Sequence, residues 1–311
     1  MDTNSCAKLL LTHENILILT HKNPDGDTAG SAAALCSALR RGGRTAWLFP
    51  NREMGRKLLP YCGQYFAPAD FRPRYVVSVD IADDRLFCQG YEGKADLCID
   101  HHPSNTHFAA ESYIRGEKAS CAEIVLELIQ SINADLTPEE ATLLYIGLST
   151  DTGCFQYGNT NAAAFEAAAE LVRCGADVMT VNTVFFRKVT PARLRLESMI
   201  YNGLRFYRDG KIAVAVVTQE MLRQAGAKED DLDDLAGLAG RCEGSVVNIT
   251  VREKEDGSCR VSVRSTPEVD SSAICAVFGG GGHAMAAGCT VEGAPEHVSR
   301  LLAGVAEEVW K

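Results

Sequence analysis

The chain has no apolar run that could cross a bilayer. Its N-terminal apolar stretch, Ile16-Leu17-Ile18-Leu19, falls far short of the about 20 residues that a spanning helix needs. No basic region with a small-residue cleavage site precedes it, so no secretory leader is expected. Twelve cysteines are present, but none form a C-x-x-C pair, which argues against a zinc finger and a disulfide scaffold. Scattered thiols without a leader point to a reduced, cytoplasmic chain, with Cys98 and Cys275 as small core residues. Positive charge is scarce: 31 Lys and Arg against 41 Asp and Glu give a net charge of −10. A protein that coats long nucleic acid needs a basic surface, so long-duplex binding is not expected. A small anionic substrate stays compatible if metal ions and a few placed cations supply local positive charge. Internal repeats and low-complexity segments are absent too.

What is present is a globular composition, 46% hydrophobic and 23% charged, over 311 residues, enough for two domains with separate cores. The first half alternates strand and helix patterns. Residues 5–15 read as a short helix, 16–19 as a buried parallel strand and the Ala-rich 28–39 as a helix. A second strand is expected over 44–49, a short helix over 52–59, and strands over 75–79 and 95–99. Such alternation implies βαβ units and a parallel sheet. Helical patterns follow over 119–133, 138–149, 161–173, 177–186 and 191–201, with Thr137 and Glu140 as a capping box. The pattern then changes: Asp209-Gly210 and Glu255-Asp256-Gly257 each sit between strand-like runs as hairpin turns, and a helix over 295–310 closes the chain.

The acids fall where the topology gathers them. His21-Lys22-Asn23-Pro24-Asp25-Gly26-Asp27 lies between the first strand and the first Ala-rich helix, and Pro24 and Gly26 bend the backbone there. The strand over 75–79 ends at Asp80, and the one over 95–99 runs into Asp100-His101-His102. In a parallel sheet those carboxyl ends lie together, where ligands bind. Asp151 stands in a turn after a helix. Four carboxylates, Asp25, Asp27, Asp80 and Asp151, converging with His21 and His101, would repel one another without compensation. Two divalent cations would balance them, and oxygen ligands with imidazole suit Mn²⁺ or Mg²⁺. A water held between ions about 3.5–4 Å apart becomes a hydroxide able to attack phosphorus in line. The chemistry expected is hydrolysis of a phosphoester, without an organic cofactor.

His21-x-Asn-Pro-Asp-x-Asp, Val79-Asp80-Ile81-Ala82-Asp83, Asp100-His101-His102 and Ser149-Thr150-Asp151-Thr152-Gly153 resemble the four motifs of the DHH phosphoesterases. Gly279-Gly280-Gly281-Gly282-His283-Ala284-Met285-Ala286-Ala287-Gly288 resembles the glycine-rich signature of their DHHA1 domain. The resemblance implies an α/β fold: an N-terminal parallel-sheet DHH domain with flanking helices over 1–186, a helical linker over 187–204, and a smaller mixed-sheet α+β DHHA1 domain over 205–311. It is similar to the nanoRNase/pAp-phosphatase branch, which implies hydrolysis of short oligoribonucleotides, linear dinucleotides and 3′-phosphoadenosine 5′-phosphate.

The same resemblance implies two divalent ions, Mn²⁺ first and Mg²⁺ second. It places His21, Asp25 and Asp80 on one and Asp27, Asp80, His101 and Asp151 on the other, with Asp80 bridging. His102 would face the scissile phosphate, and Asp100 would orient a ligand histidine. Ile81 stands where threonine is common, a change that leaves ligation untouched.

In the second domain, four glycines before His283 leave N–H groups for an anion-binding nest, and Arg264 could grip a phosphate. The resemblance implies that Arg264, Gly281, Gly282 and His283 hold the substrate across from the metal cleft, selecting substrates of dinucleotide size. Asp83 reads as a helix N-cap rather than a ligand, and His13, His107 and His297 as surface residues. Arg115, Ser120 and Glu123 read equally as site neighbours or a solvated helix start, and Phe155 and Tyr157 as base-stacking or core residues. A stand-alone cyclic-dinucleotide phosphodiesterase is the nearest rival. A pyrophosphatase lacks the Gly-rich His element, and a RecJ-type exonuclease needs a basic track. A non-catalytic nucleotide sensor would carry a broken ligand set. No membrane partner is expected, and a homodimer is left open.

Overall fold

The computed structural model describes residues 1–133, 135–232 and 235–310. The chain divides into two compact units, Met1–Lys188 and Val189–Lys311. Lys311, where the expected second domain ends, lies outside the described residues.

The first unit is built on a parallel sheet of strands β1 (Ile16–Leu19), β2 (Ala46–Leu48), β3 (Tyr75–Val79), β4 (Leu97–Asp100) and β5 (Glu111–Ile114), in the order β2-β1-β3-β4-β5. Around it stand helices α1 (Thr3–Thr12), α2 (Gly26–Arg41), α3 (Leu59–Cys62), α4 (Cys121–Asn133), α5 (Pro138–Asp151), α6 (Ala162–Arg173) and α7 (Val178–Asn182). The apolar run of β1 has a simple cause. Ile16 and Ile18 enter the main core, while Leu17 and Leu19 enter a smaller cluster with Ile81 on the other face. Helix α2 presses closely on α5, and this requires glycine. A Cβ at Gly30 would lie 2.3 Å from the Leu143 carbonyl oxygen, and one at Gly26 2.3 Å from Thr150 Oγ1.

Two local expectations differ from what forms, and one strand stands where none was expected. Residues 52–59 are mainly turn, and the short helix starts only at Leu59, with Pro60 in its first turn. Strand β5 carries Glu111 and Ser112, too polar to read as a strand by pattern. Helix α5 runs to Asp151, so this acid sits on a helical turn rather than in a loop.

The second unit opens with α8 (Pro191–Asn202), within the range expected as a linker. Its Leu196 and Ile200 are buried in a core shared with Ala213, Ala215 and Val217, so the helix packs as part of this unit. The six-stranded mixed sheet has β6 (Arg205–Tyr207), β7 (Ile212–Val217), β8 (Val247–Glu253), β9 (Ser258–Ser265), β10 (Gly281–His283) and β11 (Ala286–Glu292). Their order is β10-β11-β9-β8-β7-β6, with β7 and β8 parallel and the other pairs antiparallel. Helices α9 (Gln219–Ala225), α10 (Ser271–Ala276) and α11 (Pro295–Val309) complete it. Strand β7 is buried throughout, because α8 and α9 cover one face and α11 the other. No helix among the described residues is long and apolar enough to cross a membrane.

Candidate active site

At the carboxyl ends of β1, β3 and β4 the first unit gathers the expected acids and histidines. Asp25 is the N-cap of α2, and its Oδ1 accepts from the N–H groups of Asp27 and Thr28 at 3.0 and 3.1 Å. Thr28 Oγ1 donates to the Val79 carbonyl at 2.8 Å, tying the start of α2 to the end of β3 just before Asp80. Asp80 itself has a left-handed backbone, φ +61°, uncommon for a residue with a side chain.

Two groups of possible ligand atoms carry the expected set, and a third brings His102 Nδ1 to 3.6 Å from Asp80 Oδ1 beside His101. In the first, His21 Nε2 lies 3.6 Å from Asp25 Oδ1 and 3.9 Å from Asp80 Oδ2. In the second, His101 Nε2 lies 3.9 Å from Asp27 Oδ2 and 3.7 Å from Asp151 Oδ2. The Asp80 carboxylate adjoins both, with Oδ2 toward His21 and Oδ1 3.4 Å from His101 Nε2. The two imidazoles are preset. His21 Nδ1 bonds the Lys22 carbonyl at 2.8 Å and His101 Nδ1 the Lys118 carbonyl at 3.2 Å. A carbonyl only accepts, so Nδ1 carries a proton in each ring, which leaves the inward Nε2 as the atom a metal ion could take.

The electrostatics fit a divalent ion as well. Asp80 is 4% exposed, and its Oδ1 meets no hydrogen-bond donor among the described residues. An orphaned carboxylate oxygen at such depth is costly unless a cation faces it. Burial, then the charges of Asp27 and Asp25, hold the Asp80 carboxyl well above its usual range. Burial and the Asp151 charge push Asp27 up to about 7, and burial and the Asp25 charge push Asp151 up to about 7. These acids are crowded in the way that dications relieve.

His102 is placed differently from His21 and His101. Its Nδ1 is taken by Asp100 Oδ1 at 2.7 Å, and its ring is 42% exposed in a cleft of about 280 Å³ beside His21, Asp80 and Asp151. The Asp100 hydrogen bond raises the His102 pKa. Asp100 is buried at the end of β4 and also accepts from the His101 N–H at 2.8 Å and from Asn105 Nδ2 at 2.6 Å. Burial is the largest single influence and would lift its pKa, but the hydrogen bond and charge of His102 together with the Asn105 hydrogen bond outweigh it and lower the pKa.

The second unit sets Arg264, Ala286 and His283 directly opposite one another on β9, β11 and β10, so all three face one side of the sheet. Arg264 and His283 are exposed there. The four glycines do not form a free nest. Gly279 and Gly280 donate their N–H groups to the carbonyls of Ala276 and Cys275, each at 3.0 Å, and Gly281–His283 is an edge strand. Gly281 shares the Arg264 side, whereas Gly282 turns inward, where a Cβ would stand 2.7 Å from Ala287 Cα.

Several side chains escape a reading by motif. Asn105 donates to both Asp100 and the Ile81 carbonyl, and Asn159 donates to the carbonyls of Asp151 and Ala119. Single asparagines in loops have no periodicity to betray them. Ser120 and Glu123 are buried rather than a solvated helix start, and Arg115 is spent on Glu117, Tyr113 and Glu127. Asp83 caps a short helical turn and accepts from Arg85. Phe155 packs on Tyr145 and Phe165. His13 stacks on Tyr75, while His107 and His297 are exposed.

The DHH family N-terminal domain matches residues 15–148, and the DHHA1 domain matches residues 209–311. The chain is 34% identical over 302 residues to the bifunctional oligoribonuclease and PAP phosphatase NrnA of Thermus thermophilus, covering 95% of this chain and 90% of the relative. The chain belongs to the DHH/DHHA1 phosphoesterase family. It is also 25% identical to the probable NrnA of Streptococcus mutans, with 89% of each chain covered. Among solved structures, an exopolyphosphatase-related protein from Bacteroides fragilis shares the fold with TM-score 0.86 at 21% identity, over 98% of this chain and 96% of that one. As a member of this family the chain is a hydrolase, with acidic and histidine side chains grouped as ligands for a metal ion.

Proposed function

We propose that the protein hydrolyses short oligoribonucleotides and linear dinucleotides and removes the 3′-phosphate of 3′-phosphoadenosine 5′-phosphate. Similarity to a curated oligoribonuclease and PAP phosphatase across both domains carries this reading. His21, Asp25 and Asp80 would hold one divalent ion, and Asp27, Asp80, His101 and Asp151 a second, Mn²⁺ by preference. The orphaned Asp80 oxygen and the inward Nε2 atoms support that assignment. Bound dications supply a nucleophile at neutral pH and neutralise charge on the phosphoryl group.

The chain's own residues do the rest. Asp100 raises the His102 pKa and fixes its ring beside the cleft, so that His102, when protonated, can donate a proton to the leaving oxygen. Asn105 fixes Asp100 in turn. On the second unit, Arg264 and His283 grip a phosphate or sugar, with Gly281 and Gly282 keeping the adjoining strand slim. The acidic surface favours short substrates over polymers. Twelve free thiols agree with a cytoplasmic enzyme.

The test is a panel of 3′-phosphoadenosine 5′-phosphate, linear and cyclic dinucleotides and a long RNA, each with Mn²⁺ and with chelator. Turnover of the first compound and the linear dinucleotides, lost in chelator and in Asp80→Ala, is expected. Preference for cyclic dinucleotides, or activity surviving in Asp80→Ala, would contradict the proposal.

A further inference from the structure

Residues 118–122, the turn into α4, touch two members of the second ligand group directly and reach the third through Asn159. The Lys118 carbonyl accepts from His101 Nδ1 at 3.2 Å. The N–H groups of Cys121 and Ala122 donate to Asp27 at 2.6 and 2.9 Å. The Ala119 carbonyl accepts from Asn159 Nδ2 at 3.0 Å, and the same amide donates to the Asp151 carbonyl at 3.1 Å and stands 3.5 Å from Asp151 Oδ2. Asp27, His101 and Asp151 come from α2, the end of β4 and α5. One short length of backbone therefore sets their spacing.

This turn is not held by a local cap. Ser120 stands where an N-cap serine would, yet its buried Oγ meets no partner among the described residues. Asp27, remote in sequence, takes the first donors of α4 instead. The turn is fixed by Glu123, in the first turn of α4 and 2% exposed. Its Oε2 accepts from the Ala119 N–H at 2.7 Å, and its Oε1 lies 3.8 Å from Lys118 Nζ. A buried carboxylate is expensive to keep, and here it spans the two residues whose carbonyls reach His101 and Asn159.

We propose that Glu123 is a positioning residue. Through the 118–122 turn it sets the separation of Asp27, His101 and Asp151, and so the affinity of that group for a divalent cation, while Asn159 joins Asp151 to the same turn. The inference rests on the reading of the site as a divalent-cation centre. Partners that orient metal ligands typically account for about 10- to 100-fold in affinity.

The test is calorimetric titration of Mn²⁺ into the chelator-stripped full chain. Two binding events are expected in the native protein, and His21→Ala assigns one of them to the first group. Glu123→Ala should weaken the other event about 10- to 100-fold and leave the first within about threefold. Glu123→Gln, which retains an acceptor for the Ala119 N–H, should restore it to within about threefold, and Asn159→Ala should weaken that same event. A folded Glu123→Ala that binds both ions with native affinity overturns the proposal, and so does equal weakening of both events. If Glu123→Ala does not fold, the exposed Asn159→Ala decides, and native binding there overturns it. A native protein that binds no Mn²⁺ overturns the metal reading itself, and the positioning role with it.

Discussion

The two units carry their functional side chains in opposite ways. In the first, nearly every charge is buried or tied by a second group: Asp25 to α2, Asp27 to α4, His21 and His101 to carbonyls, His102 to Asp100. In the second, Arg264 and His283 stand exposed on a sheet face bordered by Gly281 and Ala286. A tightly braced cluster suits ions, whose ligands must be held to within tenths of an ångström. An open shelf suits a nucleotide that brings its own shape. Chemistry should therefore depend on the first unit and affinity on the second.

Substitutions can break that division. The largest effect is expected from Asp80→Asn, which should lower kcat on every substrate by at least about a thousandfold while circular dichroism stays native. His102→Ala should lower kcat by about a hundredfold. A proton donor must be protonated, so kcat should fall as pH rises through the raised His102 pKa; Asp100→Asn should move that fall to lower pH, read from the pH–rate profile. Arg264→Ala should raise KM by about 10- to 100-fold with kcat within about threefold, as steady-state kinetics on a linear dinucleotide would show. If Arg264→Ala lowered kcat as much as Asp80→Asn does, the division between the units would fail.

The smallest effect concerns stability. Asp27 and Asp151 have pKa values raised from 3.8 to about 7 in the folded chain. Between those limits the folded state binds more protons than the unfolded one. Their contribution to metal-free stability is thus complete below about pH 4 and lost as pH rises through about 7. Dications compete with those protons, so the gain in Tm on adding Mn²⁺ should be larger at about pH 8 than at about pH 5, measured by thermal unfolding.

Much of this was legible in the sequence because the acids follow strands. Asp80 comes directly after β3 and Asp100 ends β4, and a parallel sheet aligns such ends without further information. Asp151 was harder, since only the packing of α5 on α2 through Gly26 and Gly30 brings it in. Strand β5 and the buried role of α8 escaped a pattern reading because tertiary packing, not periodicity, decides them. The brace formed by Glu123, Asn159 and the 118–122 turn was hidden for another reason. Its contacts run through backbone atoms, which no residue type announces.

The central claim is that the first unit's acids and histidines form a centre for two dications. An anomalous difference map from crystals soaked in Mn²⁺ tests it most directly. Two peaks are predicted, one among His21, Asp25 and Asp80 and one among Asp27, Asp80, His101 and Asp151. A map without density in that cluster would contradict the account.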